Sequence, residues 1–195
     1  MVPTGEFQSQ WRERLASGSK LAAKALSQAL KDDATRVPLI VPLTHDALAT
    51  VRIASLRALE ELAAARPQAL APFAGDIVAS LAAHEGDAQA AALGALTHLA
   101  PYARAEAALA LPLIAELLRA RRPGLREEAA RCLGRIGVEL PESAPAVAAR
   151  LSSALEGARN ARAGNEAREI LAALEGMLGN LSPAARAQVA TAVAP

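Results

Sequence analysis

The sequence predicts an all-α chain built as an array of stacked antiparallel helical pairs. Three observations predict it. The 195 residues include 51 alanines and 29 leucines, the two residues that rank highest in helix propensity. Valine and isoleucine together number 15, and the aromatics are two phenylalanines, one tryptophan and one tyrosine, too few to fill a pleated sheet surface. Apolar residues also recur at a fixed long period, the mark of a repeat architecture.

That period is 37 residues. Leu59, Leu96 and Leu133 keep the step, as do Leu62, Leu99 and Ile136. A second ladder runs through Ile40, Ile77, Ile114 and Leu151, with Leu81, Leu118 and Leu155 beside it. The tetrapeptide Val37-Pro38-Leu39-Ile40 returns two periods later as Leu111-Pro112-Leu113-Ile114. Inside each period the apolar positions follow helical spacing. One helix carries Val51, Leu56, Leu59 and Leu62, then Leu93, Leu96 and Leu99, then Leu125, Leu133 and Ile136. The second helix carries Ile77 and Leu81, then Ile114, Leu117 and Leu118, then Val147, Leu151 and Leu155.

Five pairs are expected, at about 10–44, 45–84, 85–122, 123–160 and 164–195, in one domain over 10–195 behind a loose leader at 1–9. Pro67, Pro101 and Pro141 are placed in the turns inside pairs, where proline cannot continue a helix. Gly86, Pro123-Gly124 and the stretch from Gly157 to Gly164 mark the links between pairs. The second helix of the first pair is short, broken by Pro38 and Pro42. Ser182-Pro183 reads as an N-cap followed by proline at the first helical position. Alanine permits close approach of helices, and leucine fills the layer between pairs. Atypical end units suit an array whose terminal faces meet water.

The residues Asp46, Val51-Arg52, Ala58-Leu59 and Leu62, then Asp87, Ala95-Leu96 and Leu99, then Leu125-Arg126, Ala129, Leu133-Gly134 and Ile136-Gly137 resemble a HEAT-repeat protein. The likeness is to the short bacterial kind related to PBS-lyase-type HEAT-like repeats, and it covers about residues 20–195. Gln89 departs from it, standing where the repeat has arginine. The resemblance implies a right-handed α-superhelix whose second helices line a concave side, and that side usually binds a partner protein or peptide. Fold alone does not give function.

Charge and chemistry narrow the classes further. The net charge is +1, so no bulk attraction draws the chain to nucleic acid or an anionic membrane. No secretion signal opens the sequence, and no apolar run is long enough to span a bilayer. The expected address is the cytoplasm, as a monomer or weak homodimer. No catalytic residue, metal or cofactor is expected. Three histidines are present; one His-Glu pair, His84-Glu85, with His45-Asp46 as its nearest echo, is too little for the di-iron site of some HEAT-repeat hydroxylases. Cys132, mid-helix beside Leu133, reads as a small buried apolar residue. No nucleophile elbow or phosphate-binding glycine fingerprint appears.

Two binding readings remain. Positions between the buried ladders on the second helices supply a candidate contact surface of Asp76, Leu113, Glu116, Arg119, Arg150 and Ser153, with Arg119, Glu116 and Arg150 setting the register of a bound helix or peptide. The first expectation is therefore a non-enzymatic scaffold for a protein or peptide partner. Nucleic acid ranks second, through the arginines of segment 119–135, at 119, 121, 122, 126, 131 and 135. Glu116, Glu127 and Glu128 interleave with them, and a Glu127–Arg131 pair at i,i+4 is expected.

Overall fold

A computed structural model describes residues 4–82 and 86–193. Among the described residues the regular structure is helical, with no strand. Contacts divide the chain into two compact units, residues 1–103 and 104–195. The division falls between the two helices of the expected third pair.

In the first unit α1 spans Thr4–Ala16, α2 Lys20–Asp32, α3 Val37–Ile40, α4 Ala49–Ala65, α5 Pro67–Leu70, α6 Ala74–Ala79 and α7 Gly86–Leu99. Helix α4 lies between α2 and α7 and packs along both. The helices opposite them are fragmented: 3₁₀ turns at Ala34–Arg36, Val41–His45, Ala71–Phe73 and Ser80–Ala82 interrupt α3, α5 and α6. Pro38, Pro42 and Pro72 fall in these segments, and each removes a backbone donor that a continuous helix requires. Pro67 opens α5 instead of sitting in the preceding turn.

The leader expected over residues 1–9 is corrected from Thr4 onward, where α1 begins. Phe7, Trp11 and Leu15 are all buried, four residues apart on one helical face. The Phe7 and Trp11 rings meet edge to face at 6.1 Å. The Arg14 guanidinium lies 4.2 Å from the Trp11 ring centre and that of Arg36 4.6 Å from Phe7. Helix α1 thus covers α4, α3 and α2 with its own small aromatic core.

In the second unit α8 spans Arg104–Leu117, α9 Pro123–Glu139, α10 Ala144–Asn160, α11 Gly164–Met177 and α12 Pro183–Val193. Helix α9 packs along α11; α8 and α10 lie against α9, and α10 also meets α11 and α12. The expected glycine-rich link from 157 to 164 shrinks, because α10 continues to Asn160. Arg162 takes a left-handed φ of 56° there, and the Ala163 amide donates to the Ala158 carbonyl at 2.8 Å, closing the helix end in Schellman fashion. Ser182 caps α12 as expected, accepting from the Ala185 amide at 3.3 Å.

Both leucine ladders are buried along their length: Leu59, Leu96, Leu133, Leu62, Leu99 and Ile136 in one, Ile40, Ile77, Ile114 and Leu151 in the other, with Leu81, Leu118 and Leu155. Leu117 is only half-buried. Alanine allows the helices to approach, and glycine allows more. A Cβ on Gly134 of α9 would sit 2.6 Å from the Ala173 Cβ and 2.9 Å from its Cα on α11. Helix against helix at that point, only hydrogen fits.

Candidate functional site

A repeated local device builds the start of three first helices, α4, α7 and α9. Arg52 donates through Nη1 to the carbonyls of Asp46 and Ala47, at 2.5 and 3.0 Å. Two periods on, Arg126 donates through Nη1 to the carbonyls of Ala120 and Arg121, at 2.8 and 3.3 Å. Between them Gln89, the departure from the repeat pattern, donates through Nε2 to the Leu81 carbonyl at 2.9 Å. The three side chains donate to carbonyls upstream of their own helix, in the link before α4 and α9 and in the Ser80–Ala82 turn before α7. Gln89 lacks the charge but keeps the bond.

In the second unit this device forms one wall of a groove of about 730 Å³, within the size range of ligand pockets. Arg126 also donates to Glu166 in the first turn of α11, with Nη2 and Nε at 2.6 and 2.8 Å from Oε2. The Glu166 side chain is 6% exposed and that of Arg126 19%. The Glu166 hydrogen bond, together with its charge, raises the Arg126 guanidinium above its ordinary range against the opposing effect of burial. A carboxylate near a helix N-terminus is also favoured by the dipole. This wall is closed chemistry: both charges are satisfied by one another.

The rest of the groove is open. Helix α8 and the turn after it contribute Ala115, Glu116, Leu118, Arg119 and Ala120; α10 contributes Ala149, Arg150, Ser153, Ala154, Gly157 and Ala158. Four of the six expected contact residues, Glu116, Arg119, Arg150 and Ser153, therefore converge on one surface. Arg119 and Glu116 approach at 3.8 Å, with side chains 82% and 71% exposed, so their attraction is weakened by solvent. Arg150 and Ser153 are exposed. A Cβ on Gly157 would meet nothing within 4 Å, and the small side chains around it leave the floor shallow.

Leu113 and Asp76 are not brought to the groove. Leu113 is exposed on α8 one turn before Glu116, and Leu109, more exposed still, precedes it by one further turn. Asp76 lies on α6 in the first unit, half-buried, with its carbonyl accepting from the Ser80 hydroxyl at 3.0 Å. Missed by sequence reasoning were Arg126 and Glu166 as a pair. The offset inserted before α11 hides the glutamate from the 37-residue step.

Three arginines of the 119–135 segment, Arg126, Arg131 and Arg135, are held by glutamates. Arg131 pairs with Glu128 at 2.7 Å and with Glu169 of α11 at 3.1 Å, so the expected Glu127 partner is corrected to Glu128, one residue closer. Arg135 pairs with Glu139 at 2.9 Å. Among the described residues no group of histidine, cysteine and carboxylate side chains could hold a metal; His84 and Glu85 lie outside the described residues. Asp46 is engaged by Arg12, with Nη2 at 3.1 Å from Oδ1, and accepts from the Leu48 amide at 2.9 Å. Cys132 is fully buried on α9. No described helix is long and apolar enough to cross a membrane.

No family model and no curated protein matches the chain. Solved structures do. An engineered protein is similar at 21% identity with a TM-score of 0.68, over 89% of this chain and 47% of its own, so the chain spans about half the length of that structure. A designed armadillo repeat protein, solved in complex with the peptide (KR)4, is similar at 19% identity and a TM-score of 0.64, over 98% of this chain and 83% of its own. Another designed armadillo repeat protein is similar at 18% identity and a TM-score of 0.52, over 91% and 95%. Together with the helical pairs described above, these likenesses show the fold: an all-α helical-repeat solenoid.

Proposed function

We propose that the protein is a non-enzymatic, cytoplasmic interaction module of the HEAT-like kind, binding a protein or peptide partner along the second helices of its repeats. The observation that carries this reading is the groove between α8 and α10, second helices of their pairs, where Glu116, Arg119, Arg150 and Ser153 surround a floor of alanine and glycine. Small floor residues let a ligand backbone come close, and charged rims set its register. The peptide held by the designed armadillo protein of similar fold supports the same use of this architecture. The pairing of Arg126, Arg131 and Arg135 with glutamates favours a protein ligand over nucleic acid, because those arginines already have counter-ions.

The test is affinity capture from a lysate of the source cells, with and without nuclease, comparing the native chain with an Arg119→Glu/Arg150→Glu variant. A protein retained by the native chain and lost from the variant is the expected result. Capture that is unchanged by the double reversal removes the groove from the reading. Capture that vanishes with nuclease replaces it with nucleic-acid binding, and a steep salt dependence would then be expected.

A further inference from the structure

The charge left over in the groove points to the chemistry of its ligand. Five ionisable side chains line it: Glu116, Arg119, Arg126, Arg150 and Glu166. Glu166 and Arg126 are spent on one another at 2.6 Å, with the glutamate almost wholly buried. Glu116 and Arg119 touch only at 3.8 Å, both largely in water, where such a pair holds little. Among the described residues no carboxylate is paired with Arg150, whose side chain stands exposed above the α10 floor at Ala154 and Gly157. The unit as a whole has no compensating excess of acid, with twelve arginines against ten glutamates over residues 104–193.

We infer that the groove takes an acidic peptide segment in extended form, with Arg150 as its principal anchor and Arg119 released from Glu116 to hold a second carboxylate. This rests on the peptide-binding reading above and adds the sign of the ligand. An arginine fork matches a carboxylate with two parallel hydrogen bonds, a geometry that lysine does not offer, and this unit uses arginine alone for positive charge. The loose Glu116–Arg119 contact costs little to exchange for a ligand carboxylate. The buried Glu166 is withheld from the ligand by Arg126, so it does not oppose an acidic chain as a free carboxylate would. Alanine and glycine at 154, 157, 158 and 161 leave room for the ligand backbone beneath the two arginines.

The experiment uses the full chain and a fluorescein-labelled octapeptide of alternating aspartate and glutamate, read by anisotropy at low and physiological salt. A basic octapeptide, an uncharged Ser-Gly octapeptide and a single-stranded oligonucleotide of eight residues serve as competing probes. Saturable binding of the acidic peptide is expected, weakened about tenfold or more by Arg150→Glu, since a hydrogen-bonded charge pair is lost and a repulsion added. Arg119→Glu is expected to weaken it less. Arg168→Glu, a reversal of another exposed arginine, on α11 and outside the groove, is expected to leave it nearly unchanged, and helical content by circular dichroism is expected to be the same in all three. Equal weakening by Arg168→Glu would overturn the inference in favour of diffuse attraction. Binding of the basic or uncharged peptide in an Arg150-dependent way would overturn the sign while leaving the peptide groove standing. Preference for the oligonucleotide, or no binding of any probe, would overturn the inference; the lysate capture then decides separately whether the interaction module itself survives.

Discussion

Glycine shows how finely the repeat is packed at the scale of single residues. Gly94 on α7 and Gly134 on α9 are both mid-helix and buried, and each gives up about 1 kcal/mol of helix propensity relative to alanine. Their surroundings differ. A Cβ at Gly94 would run into the side chain of Glu60, which is flexible and can turn aside. At Gly134 it would press on the Cα and Cβ of Ala173, which are fixed to the α11 backbone. Gly134→Ala is therefore expected to lower stability by roughly 1–2 kcal/mol, the cost of prising α9 from α11 less the propensity gained. Gly94→Ala is expected to be neutral or to raise stability by up to about 1 kcal/mol. Urea unfolding of both variants checks the pair, and equal losses would show that close approach is not what Gly134 provides. Sequence alone presents both as glycines in a helical pattern. Which neighbour each faces depends on the crossing of two helices, and the 37-residue period does not specify that crossing.

Among the elements, α1 and the link before α4 are joined by charge as well as by aromatic packing. Arg12 on α1 clasps the Asp46 carboxylate, which also accepts from the Leu48 amide at 2.9 Å. The Arg12 hydrogen bond is the main cause holding the Asp46 carboxyl below its ordinary range, with smaller help from the Leu48 amide and the charges of Arg12 and Arg52, against burial, which pushes it up. Asp33 is lowered in the same direction, chiefly by the Thr35 hydroxyl and by Arg36. In the unfolded chain an aspartate returns to about 3.9, so there it takes up a proton more readily than in the fold. The stabilisation is thus complete above about pH 5 and is lost as the pH falls through the lowered folded-state value. Asp46→Asn is expected to lower the urea midpoint at pH 7 and to differ progressively less from the native chain below pH 4. A constant difference from pH 7 to pH 3 would sever the link to the carboxylate. Helix α1 itself was legible only in part. Phe7, Trp11 and Leu15 have the spacing of one helical face, yet they have no counterpart in the leucine ladders, and a reading led by the repeat leaves them outside. The same bias hid Glu166. In contrast the convergence of Glu116 and Ser153 on one groove was legible because they are one period apart on successive second helices, and the period survives wherever no residue is inserted.

For the molecule as a whole, a repeat array is held together by each pair's own contacts and those with its neighbours, so stability is expected to vary along the chain. Within residues 104–195 the contrast is steep. Helix α9 buries Leu125, Ala129, Ala130, Cys132, Leu133 and Ile136 and lies along α11, which buries Ile170, Leu174 and Met177. Helix α12 buries Val189 alone and is held by α10 and by Arg159, which donates to the Ala192 and Val193 carbonyls at 2.8 and 2.7 Å. One buried valine side chain is worth about 1.5–3 kcal/mol, while an isolated helix of this length is marginal in water. Helix α12 should therefore open by itself, well below the free energy that exposes α9. Amide hydrogen exchange followed by mass spectrometry is expected to show fast exchange throughout Pro183–Val193 and the slowest exchange in the middle of α9 and α11. Arg159→Ala should speed exchange in α12 further and leave α9 untouched, because the bonds to the Ala192 and Val193 carbonyls anchor the last turn of α12. Protection of α12 equal to that of α9 would mean that the unit opens all at once, and the nearest-neighbour account of its stability would fail.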